Sequence, residues 1–360
     1  MKKIIILMII FLFGFAGEFN LNMNKGYEKT YSEYEEILPY NYSNDAAHFK
    51  YYENDTHIER WYEWWYLNVK NGSNALLLYF FTFGDLNNPI KSIEGAVALF
   101  FKENESIERI TSYPFIKYSL DYEKCNVSIA KNRIYEDEGK YFASYKAKDI
   151  EINVVASPIG KPFGGNKTML YGWQWAAWYV AMPYGKANVS VFLHGKEYNF
   201  HGYAYHDHNW GIVKFSHFQW NWGEFNMDNE FAVIYGIAKS EGKMKGGIYF
   251  VNESNVFSIS SDSFTINYLK WQYINGFKKP VKIHIYGGDN NKTVNLYINL
   301  KKYYIIGIKN FGKPYLLGNA SGRISIKKNF FINTTGFYEY HAEFSKITCK
   351  KFHRECNFHR

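Results

Sequence analysis

The chain has 360 residues, of which 47% are hydrophobic, so it is long enough for two domains that each bury a core. With 33 Tyr, 30 Phe and 10 Trp it is neither disordered nor of low complexity, and this aromatic content favours strands over helices. The net charge of +8 is spread along the chain without a basic block. It argues only weakly for nucleic acid and more for an ordinary soluble surface, so no nucleic-acid partner is expected.

The first seventeen residues, MKKIIILMIIFLFGFAG, have the features of an export signal. Two lysines precede an apolar run at 4–16, which is shorter than the roughly 20 residues of a comfortable membrane span and ends in small residues. We expect a signal peptide at 1–17 or, as the close alternative, an uncleaved anchor that associates with a membrane through 4–16. In either case the protein is expected outside the cytoplasm, secreted or membrane-anchored, with 18–47 as a linker or arm.

Asparagines in N-x-S/T triplets without proline support the export prediction, since this is the acceptor pattern for N-glycosylation. An asparagine-rich chain also produces such triplets by chance, but their frequency here favours an exported glycoprotein. The asparagines are Asn41, Asn54, Asn71, Asn104, Asn126, Asn166, Asn188, Asn252, Asn291, Asn319 and Asn333.

The cysteines, Cys125, Cys349 and Cys356, are too few for a disulfide framework. The last two lie in a basic tail at 347–360, where together with two histidines they could bind zinc. The spacing matches no common zinc module, so a disulfide within the tail, or a plain basic tail, is favoured.

Short runs with two-residue alternation dominate the chain after residue 47, and turn signals such as Asn71-Gly72 separate them. This pattern predicts an all-β protein of antiparallel barrels or sandwiches, with an N-terminal domain at 48–213 and a C-terminal domain at 214–346. The runs include 61–69, 75–83, 95–101, 141–147, 188–194, 231–238, 282–287 and 322–328.

The stretch YAYHDHNWG at 203–211 concentrates ionisable and aromatic side chains. On a strand, His206 and His208 would point one way and Tyr205 and Asp207 the other. The histidines could bind a metal, but no further histidine or acid follows closely, and we expect no metal. Tyr205 and Asp207 would project into an aromatic barrel, where desolvation raises a carboxyl pKa and lets the group act as an acid. The alternative is a core role, in which these groups fix strand ends or the junction between two barrels.

Three elements together resemble the AttH/CrtC-like family of tandem lipocalin-like proteins: EWWY at 63–66, GYAYHDHNWG at 202–211 and WNWG at 220–223. That family includes carotenoid 1,2-hydratases, kievitone-hydratase-like proteins and pericyclase-type cyclases. The resemblance implies two tandem lipocalin-like, or calycin-like, antiparallel β-barrels. It also implies an apolar pocket for a lipophilic, isoprenoid-like ligand and no metal or organic cofactor.

The resemblance also implies roles for the central motif. Tyr205 and Asp207 match the Tyr-x-Asp pair of the carotenoid hydratases, in which the aspartate donates a proton. In our enzyme hypothesis His208 supports them. An upstream His-x-Trp pair of those enzymes has no counterpart, because 172–185 contains tryptophans but no histidine. No histidine role is therefore carried over to that segment.

Large aromatic residues elsewhere are candidates for a ligand pocket, although in β proteins they are core residues first. Glu63, a carboxylate among indoles, either orients a ligand or pairs with an arginine such as Arg60 or Arg109. The ligand-binding candidates are Glu63, Trp65, Trp175, Trp178, Trp210 and Trp222.

Three functions of different classes follow. The first is a cofactor-free hydratase, isomerase or cyclase that uses Asp207 as proton donor. The second is a non-catalytic lipid-binding or carrier protein, and the third is a structural cell-surface protein. An apolar cavity containing Asp207 would favour the enzyme, a cavity remote from Asp207 the carrier, and filled barrels the structural protein.

Overall fold

A computed structural model describes residues 43–341 apart from 103–104, 216–217, 228–230, 241–242, 275–276, 290, 307–312 and 327. The predicted export segment, most of the predicted arm and the Cys/His tail lie outside the described residues. Among the residues that are described, no helix is both long enough and apolar enough to cross a membrane.

The first sheet contains the strands before residue 213, and all its strand pairs are antiparallel. The strands are β1 (Trp61–Lys70), β2 (Asn74–Gly84), β3 (Ser92–Lys102), β4 (Glu105–Thr111), β5 (Tyr118–Leu120), β6 (Asn126–Ile129), β7 (Asn132–Asp137), β8 (Lys140–Lys146), β9 (Ile150–Pro158), β10 (Phe163–Gly164), β11 (Thr168–Met169), β12 (Trp175–Leu193) and β13 (Lys196–Ile212). Their order is β4-β3-β2-β1-β13-β12-β9-β8-β7-β6-β5, and β10 and β11 also pair with β12. The long strands β12 and β13 therefore lie at the centre of the sheet.

The second sheet contains the strands from residue 218 onward, and it too is antiparallel. The strands are β14 (Phe218–Met227), β15 (Phe231–Ser240), β16 (Lys243–Val251), β17 (Val256–Ser260), β18 (Phe264–Ile274), β19 (Phe277–Asp289), β20 (Lys292–Ile306), β21 (Lys313–Ile326) and β22 (Lys328–His341). Their order is β17-β16-β15-β14-β22-β21-β20-β19-β18.

Helical structure in the described residues is limited to one-turn segments: the helix α1 (Phe49–Tyr52) and the 3₁₀ turns Ile58–Arg60 and Ser261–Ser263. Each sheet curls around its own apolar core, which confirms the predicted all-β fold of two tandem lipocalin-like barrels. The alternating runs form strands because a period of two places one set of side chains in the barrel and the other set outside it.

A third core lies between the barrels. Along β1, Trp65 packs inside the first barrel, whereas the next residue, Tyr66, packs against the second. Phe337 and Ile234 of the second sheet complete this junction. The outer faces of β1, β12 and β13 are therefore buried, as interior faces are, and can hold a sheltered polar group.

Candidate functional site

Asp207 lies on β13, on the face that meets the second barrel, and its neighbour on β1 is Tyr66. The pairing of β12 with β13 is irregular here, with register shifts between Tyr179 and Gly185. Bulged strands re-aim side chains and are frequent beside functional sites. The irregularity lies next to Trp178, the β12 residue that contacts Asp207.

Three side chains donate hydrogen bonds to the Asp207 carboxyl group. The Tyr205 hydroxyl and Trp178 Nε1 lie 2.7 and 2.9 Å from Oδ2, and Asn209 Nδ2 lies 3.0 Å from Oδ1. Burial raises the pKa of Asp207 to about 7, against the opposing effect of the Tyr205 and Trp178 hydrogen bonds. Near neutral pH this carboxyl group is therefore protonated in a substantial fraction of molecules and can act as a general acid.

Aromatic side chains from both barrels surround the carboxyl group. The ring of Trp222, from β14, lies 5.5 Å from that of Tyr66 and 5.4 Å from that of Tyr205, measured between centroids. Trp178 meets Tyr249 of the second barrel edge-on at 5.7 Å. Such rings offer an apolar lining and, through their faces, attraction for a positive charge.

A second carboxylate reaches the junction from the second barrel. Glu339, on β22, accepts a hydrogen bond from Trp220 Nε1 at 2.9 Å, and its charge contributes to the raised pKa of Asp207. The WNWG element pointed to Trp220, but no local pattern in the sequence pointed to Glu339.

Other predicted site residues form a separate cluster inside the first barrel. Glu63 Oε1 lies 3.1 Å from His208 Nε2 and accepts a hydrogen bond from the backbone of His48 at 2.7 Å. Trp65 stacks on His208 and Trp210 stacks on His48, with ring centroids 4.4 and 3.6 Å apart. Burial lowers the pKa of His48 to about 4, so this histidine is neutral.

Asp45 and His206 extend this cluster. Asp45 Oδ2 accepts hydrogen bonds from His206 Nε2 at 3.0 Å and from the Tyr141 hydroxyl at 2.8 Å, while His206 Nδ1 donates to the Tyr66 carbonyl at 2.8 Å. Burial opposes both charges, but their mutual attraction prevails, so the pKa of His206 is raised and that of Asp45 is lowered. The pair anchors the segment 43–48 inside the barrel.

Two sets of buried side chains have donor atoms within 4.8 Å of one another: Asp45, Cys125 and His206 in one, and His48, Glu63 and His208 in the other. These are the described residues whose positions would let them share an ion. In each set Nδ1 of the β13 histidine faces a backbone carbonyl and its Nε2 faces the carboxylate of the same set. In the structure these contacts connect the segment 43–48 to β1 and β13.

The structure adds partners for Glu63 and for the histidine pair that the sequence did not indicate. Glu63 accepts hydrogen bonds from histidines, whereas Arg109, one of the arginines considered as its partner, contacts Asp149. Acids do lie beside the histidine pair, because Asp45 and Glu63 reach it from segments remote in sequence.

The placement of the motif also differs from expectation. Tyr205 and Asp207 project into the junction between the barrels and not into a barrel interior. His208, expected to support Asp207, lies on the opposite face of β13. Trp175, the first residue of β12, packs beside Trp61 in the same apolar cluster as Trp210 and away from Asp207.

The predicted site residues thus fall into two groups. Tyr205, Asp207, Trp178 and Trp222 meet at the junction, whereas Glu63, Trp65, His208 and Trp210 meet inside the first barrel.

The fold and the site define an all-β protein of two lipocalin-like barrels with a buried acid at their junction. Among solved structures the chain is similar to a protein from Nitrosomonas europaea described as an AttH, with a TM-score of 0.58 and 12% identity over 79% of this chain and 93% of that chain. It is also similar to kievitone hydratase from Nectria haematococca, with a TM-score of 0.54 and 11% identity over 78% of this chain and 88% of that chain. No protein-family model matches the sequence, and no curated protein sequence matches it either. The structural likeness confirms the AttH-like resemblance at the level of the fold.

Proposed function

We propose that the protein is a cofactor-free hydratase, isomerase or cyclase that acts on a lipophilic, isoprenoid-like small molecule. The observation that carries the proposal is the Asp207 carboxyl group, buried at the junction with a pKa of about 7 and held by Tyr205 and Trp178. The fold shared with a hydratase supports the same reaction class.

In the proposed reaction Asp207 transfers its proton to one carbon of a carbon–carbon double bond, and the two electrons of the π bond form the new C–H bond. The adjacent carbon becomes cationic, and the faces of Trp222 and Tyr66 stabilise it. Attack by water followed by loss of a proton from the added water gives hydration, and loss of a proton from a neighbouring carbon gives isomerisation. Attack by a second double bond closes a ring and leaves a new cation, which in turn loses a proton or adds water. In each case one proton is released to the Asp207 carboxylate and completes the cycle.

Tyr205 and Trp178 act as positioning residues. Both direct a hydrogen atom at Oδ2 of Asp207, so they fix the orientation of the carboxyl group and favour its anionic form after proton transfer. The burial of Asp207 opposes them and keeps the group able to hold a proton before transfer.

A proton-transfer assay in deuterated water tests the proposal directly. The purified protein is incubated with a lipid extract of its own source in D₂O, and the lipids are analysed by mass spectrometry for carbon-bound deuterium. We expect label in one lipid class with the wild type and none with Asp207→Asn. Wild-type protein that leaves every lipid unlabelled would contradict the enzyme proposal.

A carrier function is the second candidate. It is favoured by the nearly complete burial of Asp207 and Trp222, which are 4% and 8% exposed, and by the cleft of about 710 Å³ between the barrels, whose lining does not include Asp207. In that case Asp207 and its hydrogen-bond donors stabilise the junction between the two barrels. Native mass spectrometry distinguishes the two, because a carrier retains an unaltered lipid and Asp207→Asn leaves that retention unchanged.

We also propose that the protein is exported by its segment 1–17 and works outside the cytoplasm, with membrane association through 4–16 if the segment is not cleaved. The lysine-flanked apolar run and the N-x-S/T triplets support this. Peptide mapping of the native protein tests the export proposal. A cytoplasmic protein that retains Met1 and carries no glycan on any N-x-S/T triplet would exclude export.

A further inference from the structure

The cluster inside the first barrel joins two histidines and a glutamate from three separate parts of the chain. His48 precedes α1, Glu63 lies on β1 and His208 lies on β13. All three are 0% exposed, and one possible ligand atom of each lies within 4.8 Å of the other two. The expectation of no metal rests on the lack of nearby ligands in the sequence, and the fold brings two such ligands to His208.

The separations within the cluster fit a tetrahedral ion. Glu63 Oε1 lies 3.2 Å from His48 Nδ1 and 3.1 Å from His208 Nε2. Zinc, at its usual distance of about 2.0–2.1 Å from nitrogen and oxygen ligands, separates neighbouring ligand atoms by roughly 3.3 Å. An ion can therefore lie between these three atoms with only small shifts of the histidine rings.

The position of the hydrogen atom on His208 follows from its outer contact. Nδ1 lies 3.1 Å from the Asn44 carbonyl, which can only accept, so Nδ1 carries the hydrogen. In the neutral ring Nε2 then presents a lone pair towards Glu63 Oε1, which is also an acceptor. A cation between the two atoms removes this repulsion. A histidine whose other N–H donates to a backbone carbonyl is the usual arrangement of a metal ligand.

The second oxygen of Glu63 is an independent sign of a bound cation. Oε2 is buried and has no hydrogen-bond partner among the described residues. Within the same part of the chain, the ion-pair contacts of this carboxylate are with the two histidines and not with a lysine or arginine. A buried carboxylate oxygen without a partner is costly. A metal bound through both oxygens satisfies Oε2 and, with the two imidazole nitrogens, makes four donor atoms.

The donor set and its surroundings indicate the class of ion. Imidazole nitrogens suit zinc and related transition metals, whereas calcium and magnesium prefer oxygen ligands. Stacking of Trp65 on His208 and of Trp210 on His48 fixes the orientation of both rings before an ion binds.

We propose that His48, Glu63 and His208 form a structural zinc site that fastens the segment 43–48 and α1 to β1 and β13. The ion takes no part in the chemistry proposed for Asp207, which lies on the opposite face of β13.

Metal analysis of the purified full chain tests this proposal. The tail at 347–360 could bind zinc through its own cysteines and histidines, so every protein compared carries Cys349→Ser and Cys356→Ser. After loading with zinc and desalting, elemental mass spectrometry should find one zinc ion per chain in this background protein. Absence of stoichiometric zinc would overturn the proposal and assign His208 to an imidazolium paired with Glu63.

Glu63→Gln removes the charge of the ligand and keeps the shape of the side chain. It should bind zinc at least about 100-fold more weakly, since loss of even an outer partner of a metal ligand costs roughly 10–100-fold in affinity. Zinc bound by Glu63→Gln as tightly as by the background protein would exclude Glu63 as a ligand and overturn the proposal.

Cys125→Ser is the matched control. It removes a possible ligand of the neighbouring set, Asp45, Cys125 and His206, and should keep one zinc ion per chain. Cobalt(II) in place of zinc provides the visible spectrum that zinc lacks, and we expect the bands of a tetrahedral site without a thiolate charge-transfer band. Loss of the ion in Cys125→Ser, or a thiolate band, would place the ion in the neighbouring set and overturn the proposal.

Thermal unfolding separates zinc binding from folding. Zinc should raise the Tm of the background protein and of Cys125→Ser, because it binds the folded chain, and should leave the Tm of Glu63→Gln unchanged. His48→Gln provides the same comparison if Glu63→Gln does not fold. An equal rise in Tm with zinc in the ligand variants and in the background protein would contradict the site.

Discussion

At the scale of single residues, the two faces of β13 separate two kinds of polar group. His206 and Asp45 attract each other inside the first barrel, and each stabilises the charge of the other. Asp207, the next residue, has no cationic partner in direct contact among the described residues. Neutral donors hold its carboxyl group, so burial prevails and raises its pKa. The difference makes the first pair suitable for anchoring and the second group suitable for proton transfer.

The raised pKa of Asp207 predicts how stability depends on pH. Between the ordinary carboxyl pKa of 3.8 and about 7, the folded chain holds a proton that the unfolded chain has lost. The contribution of Asp207 to stability should therefore fall as pH rises through this window, by on the order of 4 kcal/mol. Asp207→Asn, which stays neutral at every pH, should lack this loss.

Urea unfolding of both proteins at pH 4, 6 and 8 measures the effect. The difference in unfolding free energy between Asp207→Asn and the wild type should grow with pH. A constant difference across the series would mean that Asp207 ionises normally.

At the scale of elements, the approach of β15 to β12 fixes the Trp178 indole. Gly236 on β15 leaves room for this ring, since a Cβ atom there would lie 2.5 Å from Cζ3 of Trp178. The close approach lets Trp178 reach both Tyr249 of the second barrel and the carboxyl group of Asp207. A glycine on one barrel thus positions a hydrogen-bond donor on the other.

Gly236→Ala should displace the Trp178 indole and cost about 1–3 kcal/mol of stability through overpacking. With one donor to the carboxylate lost, the pKa of Asp207 should rise further. Gly195→Ala is the control, because a Cβ atom at that turn meets open space. An alanine there is still strained, since the backbone φ of residue 195 is +80°. Gly195→Ala should lose some stability but leave the Asp207 pKa unchanged in a pH titration. Equal shifts of the Asp207 pKa in Gly236→Ala and Gly195→Ala would contradict the role of Gly236.

At the scale of the whole molecule, a buried ion pair joins the barrels. Lys70 of β1 and Glu224 of β14 are 3% and 0% exposed, and burial lowers the pKa of the lysine and raises that of the glutamate against the opposing effect of their mutual attraction. Each charge is therefore tolerated only because the other is present. The pair constrains the relative position of the two sheets near the cleft.

Lys70→Met should leave Glu224 as an isolated buried charge and cost about 3–5 kcal/mol. The double variant Lys70→Met with Glu224→Leu should recover most of this loss. Lys91→Met, which removes an exposed partner of Glu59, serves as the control and should change little. Denaturant titrations of the wild type and the three variants measure these differences in unfolding free energy. A double variant that is no more stable than Lys70→Met would show that the lysine acts through packing alone.

Much of the fold could be predicted from the alternation of apolar and polar residues. The same period of two correctly placed His206 and Asp207 on opposite faces of a strand. It could not tell which face meets the second barrel, because both faces of β13 are buried. Nor could it supply His48 as a partner of Glu63 or Asp45 as a partner of His206, because no local pattern marks these two residues of the segment 43–48.

The central claim is that Asp207 holds a proton near neutral pH at the junction of the barrels. The most direct measurement is an infrared titration that follows the carboxylic-acid C=O band in wild-type minus Asp207→Asn difference spectra. We predict a protonated Asp207 band that disappears with a midpoint near pH 7. A midpoint in the ordinary carboxyl range, near pH 4, would contradict the assignment of Asp207 as a general acid.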